Sequence, residues 1–122
     1  MEAANYKVAA VHVPHGPNSF AYKVEAGGKS IVISGDVGPL RGATRESWRG
    51  LIKLAENADL LIMDALHPTP EQIGTVAREA QVKKLVLSHL EGRQHVTNIV
   101  KEIKGTYRGE VVVGEDLQTI QP

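Results

Sequence analysis

Two short runs, Leu60-Leu61-Ile62-Met63 and Leu85-Val86-Leu87, most constrain what this chain can fold into. Each is apolar on both faces, so each has to be covered on both faces. That is the condition of a parallel strand inside a layered α/β sheet. Between them, Pro68-Thr69-Pro70-Glu71-Gln72 opens a helix, with Thr69 as N-cap and Pro70 at the first helical position. Its apolar face is Ile73, Val76, Ala77 and Ala80. Upstream, Thr44-Arg45-Glu46-Ser47 reads as another helix start, followed at helical spacing by Trp48, Leu51, Ile52, Leu54 and Ala55. Strand, helix, strand, helix, strand from Ile31 to Leu87 implies two successive right-handed crossovers.

The opening third has a different rhythm. Tyr6 to Val13 alternates, His15-Gly16-Pro17-Asn18 is turn chemistry, and Phe20 to Glu25 alternates again. Ala26-Gly27-Gly28-Lys29 is a tight reversal into Ser30 to Ser34, so antiparallel pairing is expected here. Towards the end, Val96 to Ile103 reads as a third helix and Glu110 to Val113 as a last strand, with a further short strand near Thr119. The expected fold is one α/β domain over residues 1–122: a mixed sheet, antiparallel at its start and parallel in the middle, with helices on one side.

Composition removes several functions. With no cysteine, disulfides, thiolate zinc sites and cysteine nucleophiles are excluded. Lys+Arg and Asp+Glu are both 14, which argues against a broad electrostatic grip on nucleic acid. Aromatics at 4% are too few for stacking platforms. No apolar run approaches the ~20 residues of a membrane span, and a cytoplasmic protein is expected.

Ligands of such sheets bind beyond the carboxyl ends of the parallel strands. There the sequence places Asp36 after one strand, Asp64 and His67 after the next, and His89 after the third. His15 follows the first strand and joins them if that strand ends on the same rim. Histidines and aspartates on one rim suit a divalent cation such as Zn, Mn or Fe. The alternative stays open: Asp36 as a turn former, His67 as loop chemistry, Asp64 as an acceptor for a neighbouring amide. His12 reads as structural or exposed and His95 as solvated. Lys83, Lys84, Arg41, Arg45 and Arg49 read as solvated face residues, with Arg41 and Arg45 close enough behind Asp36 to meet a phosphate.

The order of segments resembles a known family. His15-Gly16-Pro17, Tyr22-Lys23-Val24-Glu25 and Ile33-Ser34-Gly35-Asp36 look like the middle of a metallo-β-lactamase-fold hydrolase. The nearest branch holds ribonuclease Z, arylsulfatase-like proteins and related phosphodiesterases. Ala58 to Ala65, His67 to Gln72, Leu85 to Leu90 and Gly114 to Ile120 resemble its later segments, the last its terminal strand.

The resemblance implies two metal ions, with His15 on the first, Asp36 bridging and His89 on the second. It also implies proton transfer by His67 with Asp64 as acidic partner. The family's His-x-His-x-Asp-His loop does not occur in this sequence. The chain therefore resembles only the C-terminal half of an αββα sandwich. The expected partner is a second copy, giving a homodimer, or an N-terminal half-domain. Nucleic acid enters only as substrate. The expected activity is phosphodiesterase-like hydrolysis, complete only in such an assembly. The competing readings are a non-catalytic binding or oligomerisation module of the same fold, and an unrelated flavodoxin-like or receiver-like domain with a wholly parallel sheet.

Overall fold

The structure, a computed structural model, describes residues 2–3, 5–38, 48–90 and 96–122. Its elements are β1 (Glu2–Ala3), β2 (Tyr6–His12), β3 (Phe20–Ala26), β4 (Lys29–Ile33), α1 (Arg49–Leu54), β5 (Leu60–Asp64), α2 (Pro70–Ala80), β6 (Lys84–Ser88), α3 (Val96–Lys104) and β7 (Glu110–Val113). The strands form one seven-stranded sheet in sequence order. β1 to β4 pair antiparallel, and β4 to β7 pair parallel through the helical crossovers. The mixed sheet rules out the wholly parallel, receiver-like alternative.

Local chemistry explains the junctions. Ala26 pairs with Lys29, so the β3–β4 turn has two central residues, Gly27 and Gly28, at φ 57° and 76°. Two positive φ values in succession are the type I′ condition that glycine meets without a Cβ penalty. α2 opens on a full capping box: Gln72 N–H donates to Thr69 Oγ1, and Thr69 N–H donates to Gln72 Oε1. The expected helix start at Thr44 to Ser47, and Arg41, Arg45 and His95, lie outside the described residues. The strand expected near Thr119 does not form, and the terminal strand is Glu110–Val113 rather than Gly114 to Ile120. Beyond Val113 only Gly114 N–H continues the pairing, to Leu87 O; Gln118 N–H then closes a turn on Glu115 O.

The register sorts side chains by face. Ala21, Val32, Leu61, Met63, Leu85 and Leu87 lie on one parity and are fully buried with Leu51, Ile73, Val76 and Ile103. Burying each larger aliphatic contributes about 1.5–3 kcal/mol, and this layer is the core. On the other parity one row crosses the sheet: Ala10, Tyr22, Ile33, Ile62, Val86 and Val112. Tyr6, Phe20, Tyr22 and Ile33 on that face are 41–47% exposed. Val8 and Val24 beside them are half-buried. An apolar face with this much exposure is unusual for a sheet that works alone.

The amino end of the parallel strands is held by Asp59. Its carboxylate accepts from Ser30 N–H (2.8 Å) and from Lys83 Nζ (2.8 Å), with Lys29 Nζ 3.8 Å away. Lys83 and Lys84 are therefore not merely solvated: Lys84 Nζ donates to Gln121 O and lies 3.8 Å from Glu110. The Lys83 ammonium, and after it the Ser30 amide, hold the Asp59 carboxyl down to about 2 from its ordinary 3.8. A depressed folded-state value stabilises above the unfolded one and loses that contribution as pH falls through the folded one. Asp59→Asn should therefore remove the part of the acid-induced stability loss that falls between pH 4 and 2. Urea midpoints of both proteins across that window test this; parallel curves would refute it.

Candidate metal centre

The carboxyl ends of β2, β4, β5 and β6 each deliver a side chain to one rim. The loop after β2 is anchored by buried Val13, whose N–H donates to Ser19 O (3.0 Å). Pro14 O accepts from Gly38 N–H, which ties the loop carrying His15 to the loop carrying Asp36.

After β4, Ser34 is buried; its hydroxyl donates to Gly35 O (2.7 Å) and accepts from Asp64 N–H (2.9 Å). Gly35 has φ 62°, and a Cβ there would lie 3.0 Å from Phe20 O, so the turn presenting Asp36 requires glycine. Ser34 was missed by sequence reasoning. Its signal was a serine at a strand end before Gly-Asp, which by itself points to no particular partner.

Asp64 ends β5 and is 2% exposed. Oδ2 accepts from Val37 N–H (3.0 Å), and Oδ1 accepts from Leu66 N–H (2.8 Å). His67 Nδ1 lies 2.6 Å from Oδ2. Because the carboxylate is an acceptor, Nδ1 carries the proton and Nε2 is left as the ring's other nitrogen. Burial is the largest single influence on the Asp64 carboxyl and pushes its pKa up. The amides of Val37 and Leu66, with the ring and amide of His67, together outweigh it and hold the pKa below 3.8. Asp64 is thus the amide acceptor of the bland reading and also the partner of His67.

His89 follows β6 at φ 58°, the left-handed region, which costs a non-glycine residue about 1–2 kcal/mol. That backbone state turns the imidazole back over the rim. Its Nδ1 lies 3.2 Å from Asp36 Oδ1 and 3.4 Å from Asp64 Oδ1. Asp36 Oδ2 lies 3.9 Å from His15 Nε2. The His67 ring stands between the other two, with centroids 4.5 Å from His15 and 5.1 Å from His89.

All five expected site residues, His15, Asp36, Asp64, His67 and His89, therefore meet on one rim. Ligand atoms of Asp36, Asp64, His67 and His89 lie within 4.8 Å of one another, with His15 reached through Asp36. His12 points elsewhere, its Nε2 2.9 Å from Pro17 O. The donor set fits a divalent cation. Asp36 offers one oxygen to each of two imidazoles, and its side chain is 52% exposed. Asp64, by contrast, has both oxygens engaged by amides. Nitrogen and carboxylate oxygen without sulfur is a set suited to Zn, Mn or Fe.

No family model matches the chain. Among characterised proteins, it is 30% identical to ribonuclease Z of Methanosarcina acetivorans, over 94% of this chain and 46% of that one. With ribonuclease Z of Myxococcus xanthus it shares 30% identity over 77% of this chain and 33% of that one. Among solved structures, the metallo-β-lactamase fold protein YhfI from Bacillus subtilis superposes with a TM-score of 0.78 at 25% identity, over 94% of this chain and 48% of that one. The short form of human tRNase Z gives 0.70 at 28% identity, over 99% and 44%. The chain spans less than half the length of each of these relatives. With strand order, rim cluster and these matches in agreement, the chain belongs to the metallo-β-lactamase-fold superfamily, as a partial region of that fold shared with ribonuclease Z.

Proposed function

We propose that this chain is the C-terminal half of a metal-dependent phosphodiester hydrolase. The observation that carries the reading is the convergence of three imidazoles and two carboxylates on one rim. Its likeness to ribonuclease Z favours an RNA phosphodiester as substrate. His15, Asp36 and His89 would hold divalent cations, zinc first, with Asp36 shared between them. A cation held there supplies Lewis acidity, lowering the pKa of a water towards neutrality.

The chain's own residues do the rest. Hydrolysis forms one P–O bond from water and breaks another, and the departing oxygen needs a proton. His67 is placed to give it: Asp64 accepts from Nδ1–H and orients the ring, so that a proton carried on Nε2 would be delivered there. The chain's ligands, with Asp36 counted for both ions, do not complete two coordination spheres.

A partner half-domain covering the Tyr6, Phe20, Tyr22 and Ile33 face would border the rim and supply the remaining ligands. Among the described residues no helix is long and apolar enough to cross a membrane, in keeping with a cytoplasmic setting.

The test is a zinc titration of the full chain followed by histidine ring-proton NMR, alongside its mass in solution. Zinc should shift His15, His67 and His89 together and leave His12 unmoved. A stable dimer whose rim histidines ignore zinc would instead support the non-catalytic module, and would end the hydrolase reading.

A further inference from the structure

His12 lies outside the rim cluster and has no part in the mechanism above. Its Nε2 lies 2.9 Å from Pro17 O, reaching from the end of β2 into the loop that carries His15. A carbonyl can only accept, so the ring must be the tautomer with its proton on Nε2. The ring also stands edge-on to Phe20, its cross-strand neighbour, with centroids 5.3 Å apart at 82°.

Two backbone bonds reach past this closure to Ser19, Val13 N–H to Ser19 O and Ser19 N–H to Gly16 O. Pro14 O receives Gly38 N–H from the Asp36 loop. His15 thus lies within a 12–17 span that an imidazole closes from the strand end onto the loop.

We infer that His12 is a positioning residue: a latch whose Nε2–H closes the 12–20 loop on Pro17 O and so fixes His15 against Asp36. The inference deepens the metal reading and rests on it for its functional weight. The bond itself is exposed, so water competes for it and its own contribution to global stability is small. Its consequence is local. Without it, residues 14–18 keep the Val13 and Pro14 anchors but lose the strut on the far side, and His15 Nε2 samples a wider volume around Asp36. Groups that orient a ligand typically contribute 10–100-fold to metal affinity. An indirect support belongs at the lower end, about tenfold.

The test compares the full chain with His12→Phe, His12→Gln and His15→Ala. Phe keeps the ring and its edge contact with Phe20 but has no donor, whereas the Gln amide can restore the donor. Zinc affinity should fall about tenfold in His12→Phe and recover in His12→Gln. In a His15→Ala background, His12→Phe should cause no further loss, because the latch acts through His15. Equal losses in both backgrounds, or no recovery with Gln, would overturn the inference. Hydrogen exchange separates this from the metal reading. The Ser19 amide should exchange faster in His12→Phe, with or without zinc, and unchanged exchange would overturn the latch whatever the affinities. Faster exchange in a chain that binds no zinc would instead retain the latch and overturn the metal reading alone.

Discussion

Asp36→Ala should reduce zinc affinity at the rim by at least about a hundredfold, the scale expected when a ligand rather than its support is removed. The reason is its position. It is the carboxylate that faces His15 with one oxygen and His89 with the other, at 3.9 and 3.2 Å. Asp64 is the poorer substitute, because its oxygens already accept the Val37 and Leu66 amides. The same substitution should leave the fold almost untouched. Asp36 is half exposed, and a surface change of this kind stays within about 0.5 kcal/mol. Zinc titration and urea denaturation of one purified variant therefore give a paired result. In the assembly with the N-terminal half-domain, metal-supported hydrolysis of a chromogenic phosphodiester should disappear with the binding. Asp36→Ala binding zinc like the parent would end the metal reading, and a large stability loss would show that Asp36 holds structure instead.

Much of this site is legible in the sequence alone, for reasons specific to the fold. The runs at Leu60 and Leu85 could only be inner parallel strands, and parallel strands end on the same side. Once that was fixed, Asp36, Asp64 and His89 had to share a rim. Thr69 and Pro70 were equally plain, because a capping box depends on residues three apart.

Other features needed three dimensions. The strand expected near Thr119 depends on pairing with a distant edge, and Leu117 at φ 63° instead belongs to a turn. The Lys83 ammonium looked solvated because its partner, Asp59, is 24 residues away in sequence. The alternation of β2 correctly set His12 apart from the core face, but its acceptor is a backbone carbonyl, Pro17 O, which no residue type announces. The sequence offers the two roles of Asp64 as alternatives. The structure makes them one: a carboxylate has enough lone pairs to serve three amides and an imidazole together.

That double duty makes Asp64 the rim residue on which the fold depends. Asp64→Ala would leave the Val37 and Leu66 amides and the His67 ring without their acceptor at a site where the side chain is 1% exposed. Each unsatisfied buried donor costs about 1–3 kcal/mol, so with partial relaxation a loss of about 3 kcal/mol is expected. Asp64→Asn should cost about 2 kcal/mol despite equal size, because its NH2 group must face a donor on one side or the other.

The pH dependence carries a sign. With the folded-state pKa held below 3.8, Asp64 stabilises fully above the unfolded value and loses that contribution as pH falls through the folded one. Urea denaturation of parent and Asp64→Asn should therefore differ most near neutrality and converge as pH falls below 3.8 and on through the folded-state value. A gap that stayed constant to pH 2 would mean the effect is packing rather than the charged acceptor. Set beside Asp36→Ala, the pair separates two kinds of carboxylate one strand apart: removing the exposed one empties the site and spares the fold, and removing the buried one takes the fold with it. If both variants lost stability equally, the distinction between ligand and support drawn from their hydrogen bonds would fail.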